Sequence, residues 1–154
     1  MKQRRQPRPI LAIASGGGHW TQLMRLRPAW EGLPVVYATV SDGYRHEVDP
    51  ALLFVVPDGN LQSRVALAKM AVAVLLLVLR LRPKAVVTTG AAPGFFAVVF
   101  GKMMGARTVW IDSIANADEL SLSGKKAKHF ADAWLTQWKH LALPDGPHYY
   151  GGVL

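Results

Sequence analysis

Apolar residues along this chain fall into short blocks divided by small and polar residues. Ile10 to Ala14 is a continuous apolar run that breaks at Ser15-Gly16-Gly17-Gly18. From about His19 to Arg27, Trp20, Leu23, Met24 and Leu26 recur at helical spacing, and Pro28 ends the pattern. The same alternation continues down the chain. Strands are predicted at Pro34–Thr39, Leu52–Val56, Ala85–Thr89, Arg107–Asp112 and Ala133–Gln137. Helices are predicted at about Gln62–Leu81, Phe95–Met104 and in a short basic stretch following Ser121–Gly124. Turn chemistry punctuates these blocks at Ser41–Tyr44, Pro57–Asn60 and Gly90–Gly94. Leu143 to Leu154 is rich in Gly and Pro and carries no predicted element.

Strands alternating with helices at these spacings predict a parallel sheet with helices on both faces, a Rossmann-like α/β domain. Ligands bind such sheets at the carboxyl ends of the strands, near the point where strand order reverses. Three loops fall at that edge: Ser15–His19, Gly90–Gly94 and Asp112–Asn116. Glycines at 16, 17 and 18 permit positive φ and close approach of a ligand, and the free N–H groups opening the following helix favour an anion. Ser15, Gly16, Gly17, Gly18, Gly90, Pro93, Gly94, Asp112 and Ser113 are therefore the candidate ligand-contacting residues, with His19 at the mouth.

Composition narrows the field. The 154 residues suit one domain, residues 10–154, preceded by a basic and mobile arm at residues 1–9. No secretory signal is read at the N-terminus. The chain has no cysteine, which removes disulfides, thiolate chemistry and cysteine-based zinc sites. Net charge is +8, and the stretch from Gly59 to Ile111 holds seven cations and no acid, which points to an acidic partner or to solvated side chains. Within it, Val65 to Leu79 is apolar except for Lys69, and Arg64, Arg80 and Arg82 flank the run. It falls short of the ~20 residues of a membrane span. Two readings remain, a helix buried against the sheet and a helix lying on a membrane surface, with Arg64, Lys69, Arg80 and Arg82 facing anionic headgroups.

Familiar catalytic patterns are missing. Thr21 stands where a dinucleotide fingerprint needs its third glycine, and no acid ends the second strand. Neither Gly101-Lys102-Met103 nor Gly124-Lys125-Lys126 completes a P-loop, and no nucleophile elbow occurs. The five histidines show no metal-ligand spacing, so no metal site is expected, and no basic–aromatic helix suggests a nucleic-acid reader. His19 is either a general base or a residue that shapes the turn. Asp112 either binds ligand hydroxyls or caps its own loop.

Five segments occur together and in order: Ser15-Gly16-Gly17-Gly18-His19; Val87-Thr88-Thr89-Gly90 with Pro93-Gly94; Trp110 to Ala115; Ser121 to Lys125; and Phe130-Ala131-Asp132 with Gln137-Trp138. Together they resemble the acceptor-side, membrane-recruiting subunit of the split N-acetylglucosaminyltransferase of lipid-linked oligosaccharide synthesis. They are equally similar to its bacterial relatives in capsule and exopolysaccharide synthesis. The resemblance covers about Ile10 to Leu154. It implies the N-terminal half of a GT-B glycosyltransferase, working at the cytoplasmic face of the membrane as a peripheral protein. A separate catalytic subunit, equivalent to the C-terminal half, would hold the UDP-sugar, so that this chain binds no cofactor itself. The Ser15–His19 loop and the Gly90–Gly94 turn would face the diphosphate of a polyprenyl-linked sugar acceptor, and His19 matches the family's candidate base. Two departures stand out. A short basic arm precedes the first strand where the eukaryotic subunit has a membrane helix, and Asn116 occupies a position expected to be basic. Two other functions compete with this one: a recruiting scaffold without catalytic residues, and a small stand-alone nucleotide-binding enzyme.

Overall fold

The computed structural model describes residues 7–153. Seven strands form one sheet: β1 Ile10–Ile13, β2 Val35–Thr39, β3 Leu53–Val55, β4 Ala85–Thr88, β5 Arg107–Ile111, β6 Ala133–Thr136 and β7 His148–Tyr149. Their spatial order is β3-β2-β1-β4-β5-β6-β7, and every pairing is parallel. The four α-helices are α1 Gly18–Arg25, α2 Arg64–Leu81, α3 Ala91–Met103 and α4 Leu122–Ala127.

The apolar run of β1 is explained by its central place, since it pairs with β2 on one side and β4 on the other and all four residues are buried. Side chains alternate between two cores. Leu11, Ile13 and Val86 pack with Met70, Val74 and Val78 of α2 and Ala97 and Val98 of α3. Ile10, Ala12 and Tyr37 pack with Trp20 and Leu23 of α1 and with Trp30. The order reverses between β1 and β4, so the loops leaving these two strands lie side by side at the carboxyl edge.

Several boundaries differ from the sequence expectation. Helix α1 stops at Arg25, because Pro28 is drawn into a short 3₁₀ turn, Arg27–Trp30, that buries Trp30. Helix α3 starts at Ala91 rather than Phe95. Gly90 and Ala91 take positive φ, 122° and 66°, and make the turn alone, while Pro93 fits in the first helical turn. Strand β7 escaped notice because two residues between Pro147 and Gly151 show no alternation; it pairs with Leu135 and Thr136. Residues 1–6 of the expected arm lie outside the described residues. Of the remainder, the Arg8 guanidinium donates to the carbonyls of Arg82 (2.7 Å) and Pro83 (3.0 Å), and Lys84 N–H donates to the Pro9 carbonyl.

Candidate functional site at the crevice between the first and fourth strands

Two turns meet at the crevice. The Thr89 hydroxyl donates to the His19 carbonyl at 2.6 Å, and His19 Nδ1 lies 3.0 Å from the Thr89 carbonyl. A carbonyl only accepts, so Nδ1 carries the proton in this contact, and in the neutral ring Nε2 is left with the lone pair. His19 is half-buried, and among the described residues none hydrogen-bonds Nε2. The ring lies over Gly90, where a Cβ would come within 3.1 Å of Nδ1 and Cε1; with φ at 122°, Gly90 is glycine for two independent reasons.

Helix α3 begins beside this ring with Gly90 as an N-cap that supplies no side-chain acceptor. The first amides of a helix have no partner within it, and they carry the positive end of the helix dipole. Ala91 holds φ 66°, which is uncommon for a residue with a Cβ and costs on the order of 1–3 kcal/mol. Helix α1 likewise has a glycine, Gly17 with φ 67°, as its N-cap, which supplies no side-chain acceptor. Ser15 and Gly16 are half-buried, and Gly17 and Gly18 are exposed.

The crevice therefore gathers Ser15, Gly16, Gly17, Gly18, His19 and Gly90. It does not gather the other candidates. Pro93 and Gly94 are buried inside α3, and a Cβ on Gly94 would collide with the Thr88 hydroxyl, so this glycine serves helix–sheet packing. Asp112 is 1% exposed, and its carboxylate accepts four hydrogen bonds: Trp110 Nε1 (3.1 Å), Asn116 Nδ2 (3.1 Å), Ser121 N–H (2.9 Å) and the Ser121 hydroxyl (2.5 Å). Ser121 in turn caps α4 by accepting from Gly124 N–H. Ser113 is 6% exposed and accepts from Gln22 Nε2 and Ala115 N–H. Asp112 thus spends its carboxylate on its own loop and the next helix cap, and Ser113 accepts from two neighbouring donors.

Sequence reading missed Thr89 as the partner of His19, and Gln22 and Gln137 beneath it. The Gln22 amide donates to Gly18 O and Ser113 Oγ and accepts from Ile114 N–H and Gln137 Nε2. Gln137 also donates to the Asp112 carbonyl and accepts from Val153 N–H. The signal was present: Gln22 is the polar residue one turn into a helix whose other inward positions are Trp20 and Leu23.

Helix α2 is buried along one face and exposed along another. Met70, Val74, Leu77 and Val78 are buried, whereas Val65, Val72, Leu76 and Leu79 recur on an exposed face. A shallow apolar groove of about 540 Å³ runs along this face, lined by Pro57, Val65, Lys69, Val72 and Leu76 among others. Arg64, Lys69, Arg80 and Arg82 are all exposed. The Arg80 guanidinium lies 5.6 Å from the Phe54 ring centroid, and Arg82 closes the helix in a left-handed conformation. Among the described residues no helix is long and apolar enough to cross a membrane, and no three metal-ligating side chains come together. A wider recess of about 1490 Å³, lined by Arg8, Leu33, Arg82 and Met104, lies at the amino edge of the strands, away from His19.

The fold is a Rossmann-like parallel sheet with helices, similar to that of GT-B glycosyltransferases such as MurG. MurG of Acinetobacter baumannii superposes with a TM-score of 0.71 at 12% identity, over 95% of this chain and 46% of that one. A UDP-N-acetylglucosamine 2-epimerase from Rickettsia bellii gives 0.64 at 11% identity, over 86% and 39%. A glycosyltransferase from Rickettsia africae gives 0.56 at 15%, over 77% and 32%. The chain thus spans under half the length of each of these structures. No curated protein matches its sequence. The profile of the family described as "Oligosaccharide biosynthesis protein Alg14 like" matches residues 55–154, and the chain belongs to that family. That family is described as one of oligosaccharide biosynthesis.

Proposed function

We propose that this chain is the acceptor-side subunit of a two-chain inverting glycosyltransferase. It binds a polyprenyl-diphosphate-linked sugar at the cytoplasmic membrane surface, and a separate subunit supplies the UDP-sugar. The observation that carries this reading is the His19–Thr89 pair between two helix N-termini whose N-cap residues are glycines. A base with a free Nε2 stands where an anion is electrostatically favoured, so a diphosphate held there would bring its attached sugar hydroxyl to the base. His19 takes the proton from that hydroxyl as its oxygen attacks the anomeric carbon of the donor. The bond to the nucleoside diphosphate breaks on the opposite face, and the leaving group stays with the partner. The exposed apolar face of α2, with Lys69 inside it and cations at both ends, suits an anionic membrane surface.

Reconstitution tests the proposal. The chain, its partner, a UDP-sugar and a lipid-linked acceptor should together give transfer that neither chain gives alone. A partner fully active without this chain overturns it. The scaffold reading draws on the same α2 face and differs in needing no His19. Vesicle flotation tests the membrane role: Leu76→Glu should abolish binding to anionic vesicles. Binding of the unaltered chain should fall as salt rises, and insensitivity to both removes the electrostatic and apolar contact.

A further inference from the structure

Tyr44 reaches back from the turn after β2 to the glycine loop, and no glycine-loop pattern contains it. Its hydroxyl accepts the Gly17 N–H at 2.7 Å. Its ring stacks on the buried indole of Trp20, with centroids 4.9 Å apart and planes 26° from parallel. The strap carrying it is pinned on both sides. Ser41 Oγ accepts from Gly43 N–H just before it (3.2 Å), and Glu47 just after it accepts from Trp20 Nε1 (3.2 Å) and, through its carbonyl, from Arg27 (2.8 Å). Gly16 leaves room for the hydroxyl, since a Cβ there would stand 3.0 Å from Tyr44 Oη. Gly16 does not have a positive φ, so closeness to the tyrosine, rather than backbone conformation, is what its missing side chain serves.

The Gly17 amide is the donor that an anion would take at the head of α1. Here it is used by the tyrosine. A phenol oxygen that accepts an N–H still has its own proton to give, and accepting one hydrogen bond strengthens it as a donor. Among the described residues no group accepts the Tyr44 O–H, and the side chain is half-buried at the rim of the crevice.

We propose that Tyr44 is a ligand-binding residue that relays the Gly17 N–H through its hydroxyl and donates its O–H to an anionic oxygen of the acceptor diphosphate. The inference rests on the reading of this crevice as an acceptor-diphosphate site. It changes how that site is built: the glycine loop meets the ligand through a side chain from another strand's turn, and not by backbone alone.

Tyr44→Phe keeps the ring and its stack and removes only the hydroxyl. Calorimetric titration of the whole chain with inorganic pyrophosphate should show affinity falling roughly ten- to a hundred-fold, the range for one hydrogen bond to a charged group. In the reconstituted pair, KM for the lipid-diphosphate acceptor should rise by a similar factor at little-changed kcat. Gly16→Ala, which displaces the hydroxyl without deleting it, should weaken binding in the same direction, and the double variant should be no worse than Tyr44→Phe alone. Equal affinity in Tyr44→Phe overturns the proposal. Tighter binding also overturns it, by making the hydroxyl a plug on the loop. A loss confined to a neutral methyl glycoside overturns it by moving the contact to a sugar hydroxyl. An unaltered chain that binds no pyrophosphate and supports no transfer refutes the acceptor-site reading itself, a result separate from any difference between variants.

Discussion

The β1–β4 crevice and the loop after β5 lie on the same edge of the same sheet, and both hold residues that look chemically capable. They differ in where their polar atoms are directed. Asp112 is buried and accepts four hydrogen bonds from its own loop, the adjoining indole and the next helix cap. His19 is half-buried, spends one ring nitrogen on Thr89 and, among the described residues, leaves the other without a hydrogen bond. A carboxylate at a strand end is thus a structural hub, and a histidine in a glycine loop is the group with chemistry to spare. Unused hydrogen-bonding capacity separates the two more sharply than residue type or sheet position does.

The comparison breaks if the two sites respond alike to truncation. His19→Ala should lower turnover of the reconstituted pair by about 10²–10⁴-fold, the usual contribution of general acid–base catalysis, while thermal unfolding changes little. Turnover within a few-fold of the unaltered chain would return His19 to a turn-shaping role and favour the scaffold reading. Asp112→Ala should show the inverse pattern. It strips the acceptor from four donors, and unsatisfied buried groups cost about 1–3 kcal/mol each. A destabilisation of at least about 3 kcal/mol is expected in urea unfolding, with activity falling only as folded protein is lost. A normally stable Asp112→Ala with abolished turnover would make Asp112 part of the chemistry.

The sheet was legible because its central strand β1 is buried throughout and reads as an unbroken apolar run, Ile10–Ile13. The glycine loop and His19 were legible for the same local reason: strand, loop and helix are contiguous in sequence. What the sequence hid was the assembly across distance. Thr89 meets His19 only because β1 and β4 are neighbours, and Tyr44 meets Gly17 only because the turn after β2 folds back. Gly94 looked like a ligand-facing glycine because small residues are needed equally for ligand approach and for helix–sheet contact; only the position of Thr88 distinguishes the two uses. The exposed face of α2 was ambiguous because both of its faces are apolar, and periodicity carries no information once hydrophobic residues surround a helix.

Gln22 sharpens the contrast, since it belongs to both regions, holding Gly18 O on one side and Ser113, Ile114 and Gln137 on the other. Gln22→Leu fills the space and removes every one of these bonds. A loss of about 2 kcal/mol is expected from the buried partners left unpaired. The mixed character of the residue predicts that turnover also falls several-fold at temperatures where the variant is fully folded, through the loosened start of α1. Stability loss without a rate effect would place Gln22 wholly with the Asp112 hub.

The smallest effect is expected from a carboxylate at the other end of the sheet. Asp132 bonds Lys102 of α3 and accepts from the Thr108 N–H at 2.9 Å, tying α3 and β5 to the start of β6. The Lys102 ammonium, more than burial, governs its titration and holds the carboxyl below the ordinary aspartate range. A carboxyl whose pKa is lowered on folding stabilises the protein at every pH above its unfolded value of ~3.9, and that stabilisation is lost as pH falls through the lower, folded value. Unfolding followed from pH 6 down to pH 2 should therefore show a steeper decline below about pH 4 in the unaltered chain than in Asp132→Asn. Because the ion pair is partly exposed, raised salt should shrink the difference. Identical acid limbs in the two proteins would mean that the backbone bond to Thr108, which asparagine can keep, carries the stabilising role and the charge does not.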